Sequence, residues 1–595
     1  MIHYTITPFD LHQHRFQVEI QCEALEDQTL SLPSWIPGSY MIRDFAKHIL
    51  QLEIKDCDSD EPVVFQQINK HQYKLNTQKN QEICIRYQVY AWDHSVRSAF
   101  LDQTAGFFNG SSVFFQLKSQ EQVPCKMTLH FDDHKAICEH WQVATTMPRT
   151  RGKTFQAGTF EVENYEALID YPVLMGTLSI FPFESCGVPH HLVLCGRHFA
   201  DGERICQDLK KICDTEIKFF HGQDPAPYEQ YQFLTLVQDQ GYGGLEHRDS
   251  TMLMCSRTDL PSQGDSETNK DYIKFLGLCA HEYFHNWNVK RLKPVGFLPY
   301  QLDQETYTDQ LWAYEGITSY YDDWMLLRSG LISRSTYLKC IAQNFTRVMR
   351  GHGRFEQTLR ASSYNAWTKF YQQDANAANA IVSYYAKGAL FALFLDLSLR
   401  HKSQHKITLD KVMQSLWKSH GVNGQGTMSS THQDVCEHLT SMKLNDVFAY
   451  LDNTHDLPLT PLLQEFGIRL VTRPKQGFQD QGGSTQHEDM AQWVDLGIQG
   501  TCHADGMHIQ VVHYGSIAAT AGLSAGDKLI AFDGYQVNTG FEKLLRHYEA
   551  DQKVKLYWFR RDQLMSATAK LDVAPTTTYH LEVENDEKAS LWLKV

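Results

Sequence analysis

His281-Glu282-Tyr283-Phe284-His285 is the stretch on which the reading of this chain turns. On a helix, residues four apart lie one turn above each other on nearly one face. Two imidazoles placed that way can grip one zinc ion, and the glutamate between them can reach a water beside the metal. Residues 272–284 (Tyr-Ile-Lys-Phe-Leu-Gly-Leu-Cys-Ala-His-Glu-Tyr-Phe) are mostly apolar. That pattern predicts a half-buried helix over 270–287, in which imidazole and carboxylate groups need partners. A surface helix with two solvated histidines is the plainer alternative, and the apolar flank weighs against it. The pentapeptide points to a metal-dependent hydrolase.

Catalytic zinc takes three protein ligands and leaves a fourth position for water. The best third ligand is Glu315, in Leu311-Trp312-Ala313-Tyr314-Glu315-Gly316-Ile317-Thr318, 30 positions after His285. Thr308 before Asp309 and Gln310 reads as a helix cap and Gly330 as a stop, so Glu315 is expected on a helix over 309–328. Gly316 inside that helix costs about 0.8–1.0 kcal/mol relative to alanine. Close approach of something bulky, such as the histidine helix, is the expected compensation. Alone, Glu315 would pass for a solvent-facing glutamate. The histidine pair makes it a ligand.

A chain of 595 residues is too long for one core, so several domains are expected. Its 42% hydrophobic and 21% charged residues are ordinary for a soluble globular protein. A formal charge of −15 with no basic patch speaks against nucleic-acid binding. Fourteen cysteines run from Cys22 to Cys502 without a Cys-x-x-Cys pair, which fits a reducing compartment. No basic start followed by an apolar run opens the chain, and no apolar stretch of about 20 residues occurs. The expectation is a cytoplasmic protein with no membrane partner.

Residues 1 to about 180 read as strands, with alternating or β-branched runs over 14–23 and 63–86. Helical periodicity dominates from 181 to 471, with helices expected over 270–287, 309–328, 335–349 and 386–400. Residues 473–492, rich in Gln, Gly, Asp and Ser, read as a linker or long exposed loop before a small β-rich module.

His281-Glu282-x-x-His285 followed by Asn286-Trp287-Asn288-Val289-Lys290-Arg291-Leu292-Lys293-Pro294, and then Trp312-x-x-Glu315-Gly316, resembles the glycyl aminopeptidase family of zinc peptidases with an appended PDZ domain. That family belongs to a wider class with two His and one Glu on zinc and a thermolysin-like catalytic domain. The stretch between His285 and Glu315 is longer than in the large aminopeptidases of the class and matches the glycyl family. Gly243-Gly244-Leu245-Glu246-His247 is similar to the Gly-Ala-Met-Glu-Asn motif of the large enzymes. The resemblance implies that Glu246 holds the substrate's α-amino group while Gly243 and Gly244 flank the peptide; His247 departs from the motif's Asn. A carboxylate suits that task through charge-assisted hydrogen bonds. Tyr385-Ala386-Lys387-Gly388 resembles their Tyr-x-Lys-Gly, which implies that Tyr385 donates to the oxyanion. Tyr384 reads as a core aromatic. Residues 32–45 (Leu-Pro-Ser-Trp-Ile-Pro-Gly-Ser-Tyr-Met-Ile-Arg-Asp-Phe) resemble the family's N-terminal domain. Asp495-Leu496-Gly497-Ile498 and the run Ala521-Gly522-Leu523-x-x-Gly526-Asp527-x-Leu529-Ile530 resemble a PDZ domain. There the amides of Leu496, Gly497 and Ile498 would cap a peptide's C-terminal carboxylate, or the module would simply brace the fold.

The resemblance therefore implies a multidomain α+β protein. It would have an N-terminal β-sheet domain over 1–180, a thermolysin-like, mainly helical zinc peptidase domain over 181–471, and a linker with a PDZ-like β domain over 472–595. It implies one Zn2+ per chain, Glu282 as general base, and hydrolysis of the first bond of peptides with a free N-terminus, small residues such as Gly or Ala being favoured. A zinc endopeptidase with Glu246 as an ordinary subsite is the nearer rival. A PDZ scaffold with a silent metal site is the farther one, against which the intact His281, Glu282, His285, Glu315 and Tyr385 count. The oligomeric state is not legible.

Overall fold

Alternation along the first strands dictates how the chain begins to fold. Ile2, Tyr4 and Ile6, then Phe16, Val18, Ile20, Cys22 and Ala24, then Ile83, Ile85, Tyr87 and Val89 are all buried at every second position. In the computed structural model, which describes residues 1–131, 138–484 and 494–594, these runs are the strands Ile2–Asp10, Arg15–Ala24 and Gln81–Tyr90. They lie side by side in a seven-stranded sheet, Ile6 opposite Val18 and Ile20 opposite Ile85. The expected single run over 63–86 is three strands, Phe65–Gln67, Gln72–Leu75 and Gln81–Tyr90. The first two belong to a four-stranded sheet instead, because turn residues interrupt the run.

The chain divides into two compact units. The first comprises Met1–Thr306 with Trp417–Thr427, the second Tyr307–Leu416 with Met428–Val595. The first unit is richer in strands than expected. Beyond its N-terminal β-rich part, residues 178–256 build a five-stranded sheet rather than a helical region. Strands Val188–Cys195, Tyr231–Gln238 and Ser250–Ser256 run parallel, with helix Gly202–His221 crossing between the first two. These parallel strands are buried along most of both faces and lack strict alternation, which is why periodicity did not separate them from helix. Tyr242–Glu246 closes one edge of this sheet, antiparallel to Ser250–Ser256. Helix Lys270–Phe284 follows, capped by the Asn269 side chain.

The second unit holds the helical middle of the chain and its C-terminal sheet. Its central helix, Ala386–Lys402, is buried on every side from Ala386 to Arg400, which is why its sequence is apolar all round. The one acid on it, Asp396, accepts from Arg400 Nε at 3.0 Å, Tyr320 Oη at 3.0 Å and the Leu409 amide at 2.8 Å. The linker expected over 473–492 falls partly outside the described residues. Its described part is fastened, Arg473 pairing with Asp480 at 2.6 Å and the Gly483 amide donating to Tyr579 O at 2.8 Å. Strands Ile498–His503, Gly506–Val512, Lys528–Phe532, Lys553–Arg560 and Gln563–Lys570 then form a sheet with a separate apolar core.

Among the described residues no helix is long and apolar enough to cross a membrane. The expectation of reduced thiols fails at one pair. Register sets Cys84 beside Lys55 on neighbouring strands, and Cys57 just beyond is bonded to Cys84.

Candidate active site

Burial of Tyr272, Phe275, Leu276, Cys279, Ala280 and Tyr283 orients helix Lys270–Phe284 in the first unit. His281 is half-exposed at its last turn, while Glu282 and His285 are 5% and 1% exposed. His285 stands just past the helix end in helical conformation, its amide still donating to His281 O at 3.2 Å. The i, i+4 stacking expected from sequence is therefore present. The two Nε2 atoms converge to 3.0 Å. His285 Nδ1 must donate to Asn288 O at 2.7 Å, which leaves the Nε2 lone pair turned toward His281. This donor set fits a borderline-soft divalent ion such as zinc. The turn that supplies Asn288 is tight, and Val289 adopts φ +146°, a strained value for a β-branched residue.

Glu246 ends the edge strand Tyr242–Glu246, 4% exposed. Ligand-type oxygen and nitrogen atoms of Glu246, Glu282 and His285 all lie within 4.8 Å of one another. The glutamate expected to hold an amine and the glutamate expected to act as base thus share one small space. Oε1 of Glu246 is buried without a hydrogen-bond partner among the described residues, as suits a carboxylate awaiting a cation. Gly244 lies directly over Glu282: a Cβ there would fall 2.1 Å from its Oε1 and 2.6 Å from its Cγ. Gly243 is open, its nearest neighbour being the Arg97 guanidinium at 3.9 Å.

His247 turns away from this space. Its Nδ1 lies 3.3 Å from Asp170 Oδ1, which also accepts from Lys290 Nζ at 2.7 Å. Burial alone would raise the Asp170 carboxyl, yet Lys290, His247 and Arg248 together hold it far below the usual carboxylate range.

In the second unit, Glu315 is 1% exposed. It sits on a single π-helical turn, Trp312–Gly316, that runs into the α-helix Ile317–Arg328. Thr308 is not the helix cap: its Oγ1 accepts from the Gln310 amide at 3.2 Å in the turn before the helix, which starts without a side-chain cap, and the π-turn has no signature in the sequence. The compensation for Gly316 also differs from expectation. A Cβ there would meet Gly388 Cα at 2.6 Å and Tyr384 O at 2.8 Å, so the close neighbour is the Tyr385–Gly388 segment. Tyr384 is fully buried, as expected of a core aromatic. Burial, then the charge of Glu315, then Tyr371 push the Tyr385 hydroxyl well above the usual phenol range, so it stays protonated.

The loop at Leu496, Gly497 and Ile498 has one of its amides engaged within the loop. The Gly497 amide donates to Asp495 Oδ1 at 3.1 Å, and the Leu496 and Ile498 side chains are 1% exposed.

Sequence reading missed two contributors. Arg97 Nη2 donates to Gly244 O at 3.4 Å and steadies the glycine pair. Gly38, at φ +92°, leaves room for Glu246: a Cβ there would fall 2.5 Å from both carboxylate oxygens. The aromatic turn around Gly38 was legible, but its partner was not.

Two family models match separate stretches of the chain. Residues 3–177 match the peptidase M61 N-terminal domain model and residues 274–391 the M61 glycyl aminopeptidase model. An aminopeptidase N family protein from Idiomarina loihiensis is 44% identical over 100% of both chains, with a TM-score of 0.96. The M1 zinc metallopeptidase from Deinococcus radiodurans is 12% identical, covering 77% of this chain and 94% of its own, with a TM-score of 0.47. No curated protein matches the chain. With both family segments in order and a relative so similar end to end, the chain belongs to the M61 glycyl aminopeptidase family and is a peptidase.

Proposed function

We propose that the protein is a zinc-dependent aminopeptidase that removes the N-terminal residue of peptides, small residues such as Gly or Ala being favoured. The observation that carries this reading is the gathering of Glu246, Glu282 and His285 within 4.8 Å of one another, at the end of an edge strand. A peptide laid along such an edge pairs by its backbone, and its free amine meets the Glu246 carboxylate. A peptidase of internal bonds has no use for a buried anion there.

In this reading His281, His285 and Glu315 hold one Zn2+ per chain. Zinc, when bound, supplies a Lewis acid for the scissile carbonyl and lowers the pKa of water at the site. Glu282 takes the proton of the attacking water and returns it to the leaving amine. Tyr385, held neutral, donates its hydroxyl hydrogen to the oxyanion. Glu246 fixes the amine so that only the first peptide bond is in register, and Arg97 keeps the Gly243-Gly244 backbone in place.

The thermolysin-like assignment and the division at 180 and 471 belong to the same proposal, as does a cytoplasmic setting, with the Cys57–Cys84 bond weighing on the other side. The module after 494 is read as PDZ-like. Because Asp495 already occupies the Gly497 amide, bracing is favoured over capture of a peptide C-terminus.

Hydrolysis of glycyl anilide compared with its N-acetylated form, by zinc-loaded protein, tests the reading. Cleavage of the free amine alone is expected. Equal cleavage of both forms would remove Glu246 from its role and favour the endopeptidase.

A further inference from the structure

The first unit encloses a cavity of about 510 Å³ that none of His281, Glu282, His285 or Glu246 lines. Its wall carries Lys118, Arg248, Lys290 and Lys293 against Glu121, Glu166, Asp170 and Asp303. The charges balance in number but not in depth. Lys118 pairs with Asp303 at 3.5 Å, and both are about one-third exposed. Glu166, at 44% exposure, also belongs to the rim. Deeper in, His247, Lys290 and Lys293 are only 2–4% exposed. The single deep carboxylate, Asp170, is already committed to Lys290 at 2.7 Å and to His247.

Among the described residues two cationic side chains keep hydrogen-bonding capacity to spare. Lys293 Nζ has the rim carboxylate of Glu166 only at 4.0 Å, and otherwise rests 4.5 Å from the Tyr300 ring. Arg248 Nε is buried with no hydrogen-bond partner among the described residues. Buried cations and donors left in this condition are costly unless something completes them. What completes ammonium and guanidinium groups together is an oxyanion, which accepts several charge-assisted hydrogen bonds at once.

We propose that this cavity is a second ligand site, separate from the peptidase centre, that binds a small oxyanion bearing phosphate or carboxylate groups on Lys293 and Arg248. The volume suits a small metabolite rather than a peptide. The inference does not rest on zinc or on aminopeptidase activity.

A proton is linked to the ligand. Burial first, then the neighbouring charge of Lys290, lower Lys293 to about 7, with Arg248 acting in the same sense and Glu166 and Asp170 opposing. An anion at Lys293 favours its charged form, so binding takes up a proton near neutral pH and weakens as pH rises through about 7.

Sulfate, whose charge is constant over this range, is the probe. Calorimetric titration of the full chain, in two buffers of different ionisation enthalpy, should give one saturable site with proton uptake. Affinity should fall roughly 20-fold between about pH 6.5 and about pH 8.5 if only the charged lysine binds. Lys293→Met should remove both the binding and its pH dependence, and Arg248→Gln should weaken binding while keeping that dependence. Far-UV circular dichroism checks that both variants are folded. Inorganic phosphate and citrate, run alongside, distinguish a phosphate from a carboxylate ligand. Absence of saturable binding by all three anions, or sulfate binding unchanged in Lys293→Met, would overturn the proposal.

Discussion

Gly244 and Glu282 occupy each other's space: a methyl group on the glycine would lie 2.1 Å from the carboxylate oxygen and 2.4 Å from its carbon. The motif that presents the amine-binding residue is thus the lid over the proposed general base. Gly244→Ala leaves every ligand and acid in the sequence but must swing Glu282 away. A displacement near 1 Å costs about 10²-fold in rate. Stopped-time assays should show that loss in kcat, with zinc content by mass spectrometry unchanged.

Gly38 stands to Glu246 as Gly244 stands to Glu282. Its φ of +92° already disfavours a side chain, and its missing Cβ is the room that both Glu246 oxygens use. Gly38→Ala should therefore damage recognition of the amine more than the chemical step. The expected outcome is a KM raised about tenfold, or about 1.4 kcal/mol of lost binding. Preference for free over N-acetylated glycyl anilide should shrink with it. Unchanged preference would dissociate Gly38 from the amine site.

A third pair, of two glycines, works by backbone contact. Gly316 follows Glu315, Gly388 follows Tyr385 by three positions, and a Cβ on either would strike the other's Cα at 2.6–2.8 Å. Here no flexible side chain can yield. Gly316→Ala gains helix propensity of about 0.8–1.0 kcal/mol and loses more to overpacking, about 1–3 kcal/mol or above. Urea denaturation should show net destabilisation, and equilibrium dialysis should show weakened zinc binding. A stabilised variant with parental zinc affinity would contradict the close approach.

These three pairs mark how far sequence alone could reach. His281, Glu282 and His285 were legible because helical spacing is local: residues four apart must share a face. The burial of Tyr384 followed from an equally local rule, whereas the cap expected at Thr308 fell in the turn before the helix. Glu246 was reached through a resembling motif, and its confinement beside Glu282 depends on strand Tyr242–Glu246 lying at a sheet edge, a long-range outcome. The five-stranded sheet itself was read as helix-dominated territory because buried parallel strands lack the period of two. The π-turn at Glu315 and the partner of Gly316 arise from packing between segments about 70 residues apart, and no window of sequence contains both. Cys57–Cys84 was missed for the same reason, since the register of neighbouring strands decides it.

Tyr385 carries the last prediction, and its sign can be worked out. Burial, the largest cause, favours the neutral phenol with or without zinc, and the Glu315 charge adds to it in the metal-free protein, so the folded pKa lies above the usual value of about 10. The hydroxyl keeps its proton through the neutral range and beyond, and its donor role is not lost as pH rises toward 10. Whatever alkaline limb the rate profile shows below that point must belong to another group. Tyr385→Phe removes one oxyanion donor and should lower kcat about 10²- to 10³-fold. It should leave the position of the alkaline limb where it was. A limb that vanishes in Tyr385→Phe would mean that the phenol ionises in the working range, against the direction set by its burial.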